Sequence, residues 1–169
     1  MALQYEVSQS VIPYFMHLPV AIRAATPADI DVLLRFQQGV VEAERSFDST
    51  LRVGELHYYD VPALLVEPSV HMVVAECNGR VVASGYARIE AAKPYLRHSH
   101  HDYLGFMYVE PAHRGRGINA QVVEALKQWA VLHKITELRL DVYAGNEGAR
   151  RAYEKFGFRP HMLEMRMGT

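Results

Sequence analysis

The sequence predicts an α+β domain, a mixed and mostly antiparallel sheet with helices on both faces. Three observations lead there. Segments with apolar residues at period two alternate along the chain with segments at helical spacing. Asn78-Gly79 lies between two strand-like runs, which marks a tight antiparallel hairpin. In the second half a strand, a glycine-rich turn, a helix and another strand follow in the order of a βαβ crossover. At 169 residues, half of them apolar and 22% charged, the chain is long enough for one domain with a real core. No repeat, low-complexity tract or linker divides it. We expect a single domain over residues 20–169, preceded by an extension, Met1 to Pro19, suited to an extra strand or a dimer contact.

The elements follow in order. Val20 to Arg23 reads as a first strand. Thr26-Pro27-Ala28-Asp29 has the marks of a helix start: a hydroxyl N-cap, proline at the first helical position, an acid in the first turn. Ile30, Leu33, Leu34 and Val41 give that helix an apolar face. Phe47 to Pro68 is irregular, with a short helix expected at Val61 to Val66. Val70 to Glu76 and Arg80 to Ile89 are the hairpin strands, Glu90 to Asp102 a polar, histidine-rich loop, and Tyr103 to Val109 an aromatic strand. After the glycine turn, Ile118, Val122, Ala125, Leu126 and Trp129 recur at helical spacing. Leu138, Leu140 and Val142 alternate with polar residues as a strand does, a helix runs from about Asn146 to Phe156 before Gly157, and Leu163, Met165 and Met167 repeat the strand pattern.

Composition excludes several functions. A net charge of −1 and a pI near 6.8 argue against broad binding to nucleic acid or to anionic membrane. Cys77 is the single cysteine, so no internal disulfide forms and a reducing compartment fits. No apolar run approaches the roughly 20 residues that span a bilayer, and Met1 to Leu18 lacks a basic leader region and carries Glu6. A cytoplasmic location is expected.

The chemistry is concentrated at Arg114-Gly115-Arg116-Gly117-Ile118-Asn119. A strand, a basic glycine turn and a helix in succession can hold phosphates. Glycines let the backbone approach a ligand, the first helical N–H groups have no intrahelical partner, and two arginines add positive charge.

Tyr108-Val109-Glu110-Pro111 followed by Arg114-Gly115-Arg116-Gly117-Ile118 resembles the acetyl-CoA motif of the GNAT superfamily of N-acetyltransferases. Downstream, Asn146, Ala149, Tyr153 and Gly157-Phe158 resemble that family's second signature. Each pattern alone is weak, and the two in the right structural order are strong. The final small residue of the first motif is replaced by Asn119, followed by Ala120. The resemblance implies a GNAT-type sheet with splayed central strands. It also implies acetyl-CoA as cosubstrate, held at Tyr108, Val109, Arg114 to Ala120, Asn146, Ala149 and Tyr153. Val109 would supply backbone hydrogen bonds in the gap between strands, and Tyr153 would be the general acid, since a phenol of pKa about 10 keeps its proton at neutral pH. Tyr153 also lies at i, i+3, i+4, i+7 spacing with Ala149, Ala152 and Phe156, which fits plain core packing. Asn146 fits a helix N-cap as well.

A general base is harder to place. Presenting a lysine-like amine in neutral form at pH 7 costs about 4–5 kcal/mol, and Leu104 to Met107 carries no acid. Asp102, at the start of that strand, is the candidate we single out; Glu110, Glu42, Glu44, His101 or water held by Tyr103 and Tyr108 are others. His98, His100 and His101 lack the spacing of a metal site and fit a polar loop. The expected activity is acetyl transfer from acetyl-CoA directly to a primary amine of a small molecule or peptide, with a homodimer as the expected assembly. A non-catalytic acyl-CoA-binding or regulatory module on the same fold is the alternative.

Overall fold

In the computed structural model, which describes residues 20–169, five strands lie side by side in sequence order. They are β1 (Val20–Ala24), β2 (Val70–Cys77), β3 (Arg80–Ala91), β4 (His100–Val109) and β5 (Leu138–Arg139), with helices α1 (Ile30–Glu44), α2 (Val61–Val66), α3 (Ile118–Leu132) and α4 (Glu147–Phe156). Neighbouring strands are antiparallel except β4 and β5, which run parallel. The expected N-terminal extension lies outside the described residues. Among the described residues no helix is long and apolar enough to cross a membrane.

Local chemistry sets the hairpin and the first helix. Asn78 and Gly79 take φ of 51° and 73° between β2 and β3, the left-handed pair that a two-residue hairpin turn requires. Before α1, the backbone N–H and hydroxyl of Thr26 donate to the Asp29 carboxylate at 2.8 and 3.0 Å. The Arg23 guanidinium forks onto the same carboxylate at 2.8 and 2.9 Å and reaches Glu76 at 2.9 Å. The fork is the main reason the Asp29 carboxyl is held down at about 2. β1, β2 and the start of α1 are thereby tied at one point.

The sheet separates two cores. Leu33, Phe36 and Val40 of α1 pack with Val61 of α2 on Met72, Val74, Tyr86 and Phe106. On the opposite face Ile118, Val122, Val123 and Leu126 of α3 cover Val73, Ala75, Ala83, Ala87 and Leu104. Val73 and Val74 belong to different cores, as the alternation of a strand demands. The predicted α1 face is correct at Leu33 and Val41, whereas Leu34 is 37% exposed and Phe36, Gln37 and Val40 are buried instead.

One irregularity in β4 shapes the rest. Pairing with β3 slips between Ser84↔Tyr108 and Tyr86↔Gly105, and Phe106 takes φ 54°. This is a β-bulge, in which one strand carries an extra residue. The backbone groups that the ladder loses are recovered by side chains: Phe106 N–H donates to Tyr59 Oη at 3.3 Å, and Ser84 Oγ donates to Phe106 C=O at 3.1 Å. Gly105 leaves room for the Tyr86 ring, which lies where a Cβ would stand.

Several expectations change. The loop drawn at Glu90 to Asp102 is shorter, because β3 continues to Ala91 and β4 begins at His100, pairing Ile89 with Asp102 and Glu90 with His101. α3, by contrast, starts at Ile118 as the spacing predicts, directly on the glycine turn. The strand expected through Val142 pairs only at Leu138 and Arg139. The last strand does not form: residues 158–169 have no regular structure, and Leu163, Met165 and Met167 are 69%, 85% and 88% exposed. Among the described residues no strand lies beside them to pair with.

The fit of Gly105 can be tested directly. Gly105→Ala forces a methyl group into the buried Tyr86 ring and should cost about 1–3 kcal/mol, lowering the urea midpoint with an unchanged m-value.

Candidate functional site

β4 and β5 pair at Asp102↔Leu138 and Tyr103↔Arg139 and nowhere beyond. The chain from Leu140 leaves β4, and a gap opens beside its C-terminal half. Glu110 N–H donates to Val82 C=O at 2.9 Å on the β3 side. Strand backbone groups alternate in direction, so those of Val109 face the gap. Val109 C=O accepts from Arg114 Nε at 3.0 Å. Arg114 also lies over the Tyr108 ring, 5.9 Å from its centroid, and so ties the end of β4 to the turn that follows.

That turn is the predicted cradle. Gly115 and Gly117 have φ of 73° and 74°, and Gly117 caps α3 in the left-handed conformation. No side chain caps the helix, and the first intrahelical bond runs from Gln121 N–H to Gly117 C=O at 3.3 Å. The N–H groups of Ile118, Asn119 and Ala120 therefore have no helical partner. Arg114 and Arg116 are exposed beside them. An uncapped fifteen-residue helix with two positive-φ glycines and two arginines at its mouth fits a diphosphate.

α4 brings the second group of residues to α3. Asn146 is its N-cap, the side-chain oxygen accepting from Ala149 N–H at 3.1 Å. Tyr153 packs half-buried against the α3-side core and meets Phe158 edge-on at 5.8 Å. Ala152, which shares its predicted stripe, is exposed. Burial pushes the Tyr153 phenol up to about 12, opposed by the Asn119 carboxamide beside its hydroxyl. The one residue that departs from the motif thus faces the candidate acid. The structure brings Asn119 and Tyr153 together from two different helices.

Asp102 stands elsewhere. It is the third residue of β4, seven residues before Val109 and roughly 20 Å along the strand. It is fully buried, with neither carboxylate oxygen hydrogen-bonded. Burial raises its carboxyl to about 6, opposed by His133 at the end of α3. Such a value suits a proton acceptor near neutral pH, while the position suits a structural carboxylate. The histidines cluster at the same end of the sheet, His98 3.5 Å from Glu137 and His101 3.6 Å from Glu90. Among the described residues no three His, Cys, Asp or Glu side chains are grouped to hold a metal ion.

The other side of the gap was not legible in the motifs. The loop after α1 is tied down by adjacent glutamines. Buried Gln37 accepts from Tyr59 N–H at 2.6 Å, and Gln38 exchanges bonds of 2.8 and 3.3 Å with Leu56. The anchored loop carries Tyr59, which stacks on Phe106 at 4.7 Å between ring centroids.

Comparison with known proteins gives a consistent result. A model of the acetyltransferase (GNAT) family matches residues 37–158. No curated protein matches the chain in sequence. Among solved structures, the tetramutant of the BH1408 protein from Bacillus halodurans is similar, with TM-score 0.78, 22% identity, and 88% of this chain and 99% of that one covered. A predicted acetyltransferase with acetyl-CoA from Clostridium acetobutylicum gives 0.68 at 20% identity over 89% and 96%. An aminoglycoside 6′-N-acetyltransferase from Acinetobacter haemolyticus gives 0.70 at 20% identity over 88% and 97%.

The role of Asp102 can be separated by stability and turnover. Its carboxyl titrates above the ordinary range, so folding is penalised once it ionises. The penalty is absent below about pH 4, grows as pH rises through about 6, and reaches at most about 3 kcal/mol. Asp102→Asn should melt higher than wild type at pH 7, match it below about pH 4, and keep its turnover. Loss of turnover in the folded variant would instead make Asp102 the proton acceptor.

Proposed function

The chain belongs to the acetyltransferase (GNAT) family, and on that basis we propose that it transfers acetyl from acetyl-CoA directly to a primary amine of a small molecule or peptide. The observation that carries the reading is the meeting of an uncapped, glycine-turned helix start with a half-buried phenol. Asn119 belongs to the first and faces the second. Two similar structures support it, one containing acetyl-CoA and one being an aminoglycoside acetyltransferase.

Bound here, acetyl-CoA would supply an acetyl group activated as a thioester. The N–H groups of Ile118, Asn119 and Ala120 would hold its diphosphate, aided by the dipole of α3 and by Arg114 and Arg116. The backbone of Val109, facing the gap, would align the extended arm as an adjacent strand aligns. Asn146, already capping α4, fixes the start of the helix that carries Tyr153. Tyr153 holds its proton at Oη throughout the neutral range, because burial raises its pKa to about 12. The proton is therefore in place for the departing thiolate, and the Asn119 carboxamide, by favouring the phenolate, offsets part of the rise that makes the phenol a weaker acid; the proton that the acylated amine sheds passes to solvent.

Calorimetry should show acetyl-CoA binding, and thiol release across a panel of amines should show turnover. Tyr153→Phe should lower turnover by about 10²-fold or more while acetyl-CoA affinity stays within about threefold. No binding by the wild type overturns the proposal. Binding with no turnover on any amine points to the non-catalytic acyl-CoA module.

A further inference from the structure

Glu44 closes α1 and has no cationic partner among the described residues. Its one cationic sequence neighbour, Arg45, is committed elsewhere, and the nearby carboxylate of Asp48 only adds to the cost of its charge. The Arg45 guanidinium donates to the carbonyls of Arg52 and Gly54 and pairs with Glu42. Asp48 is satisfied in its own right, by Thr50 at 2.9 Å, by Tyr143 Oη at 3.4 Å and by Arg166 at 3.2 Å. Glu44 is left half-buried among the phenols of Tyr58, Tyr59 and Tyr143. The Tyr58 hydroxyl faces it, buried, without a hydrogen bond of normal geometry.

The surroundings connect this carboxylate to the gap. Tyr58 meets Tyr59 edge-on at 6.1 Å, and Tyr59 stacks on Phe106 at the bulge of β4 at 4.7 Å. On the other flank Phe47 stacks on Tyr143 at 6.1 Å. An uncompensated carboxylate in aromatic surroundings is costly. A ligand ammonium would supply the missing charge, and the aromatic pairs flanking the carboxylate suit an apolar body attached to it. Burial holds the Glu44 carboxyl above its ordinary range, as expected of a charge awaiting a partner.

We infer that the acceptor side of this site takes a protonated amine carried on an apolar, ring-sized body, with Glu44 as the carboxylate that receives the ammonium. The inference rests on the transferase reading for its place in a reaction, but amine recognition can be measured alone. Phenethylamine and its neutral analogue 2-phenylethanol are titrated into the full chain without acetyl-CoA. The wild type should prefer phenethylamine by about tenfold or more, since a hydrogen bond to a charged group is lost with the alcohol. Glu44→Gln should reduce that preference to within about threefold with an unchanged melting temperature and unchanged acetyl-CoA binding. Glu42→Gln, an exposed neighbour on the same helix, should keep it. Equal or undetectable binding of the two ligands at millimolar concentration overturns the inference, as does a preference that survives in Glu44→Gln. Failure of acetyl-CoA to bind the wild type would fall on the transferase reading instead.

Discussion

Phe106 holds a backbone conformation that a bulky L-residue ordinarily avoids, and the site is arranged around that constraint. Its φ of 54° costs of order 1–3 kcal/mol. It persists because Tyr59 and Ser84 take the two hydrogen bonds that β3 no longer supplies. The extra residue also breaks the alternation of side chains, so that Gly105 and Phe106 both serve the α1 side of the sheet. The strand bends where its partner β5 has already departed. The gap therefore exists as a property of backbone pairing, before any ligand is considered.

The sheet then acts as a partition. On the α3 side lie the glycine turn, Asn119 and Tyr153, the groups assigned to the cofactor. On the α1 side lie Tyr59, Tyr58 and Glu44, the groups assigned to the acceptor. Each set is held by its own hydrophobic core, and Val73 and Val74 show how closely those cores adjoin without sharing residues. Arg114 is the exception, since it touches the end of β4 on both its carbonyl and, through Tyr108, its opposite face.

What could be read from the chain beforehand was local. Asn78-Gly79, the turn through Gly115 and Gly117, and the Asn146 cap each depend on a few adjacent residues, and each stands where the spacing placed it. The short helix at Val61–Val66 follows from the same kind of signal, with Asp60 capping it. Features that depend on a distant neighbour were not legible. Leu163, Met165 and Met167 alternate correctly, but among the described residues no strand lies beside them, so period two yields no strand. His100 and Asp102 are polar and still belong to β4, because Glu90, Ile89 and Ala91 are available across the ladder. The adjacent pair Gln37-Gln38 gives no signal of its own until the loop it anchors is folded against it. Asn119 appeared as a defect in a motif, and its counterpart across the site is thirty-four positions later at Tyr153.

A gap approached from two faces has a kinetic meaning. A ligand seated on the glycine turn occupies the α3 side, and one seated by Glu44 occupies the α1 side, so neither obstructs the other's path. The strand between them is pinned by hydrogen bonds rather than assembled by either ligand. For a transferase built this way, the two substrates can enter in either order, and the occupancy of one side leaves the affinity of the other nearly unchanged. Double-reciprocal rate plots for the two ligands would then intersect on the reciprocal-concentration axis, the pattern of independent sites sharing one reaction.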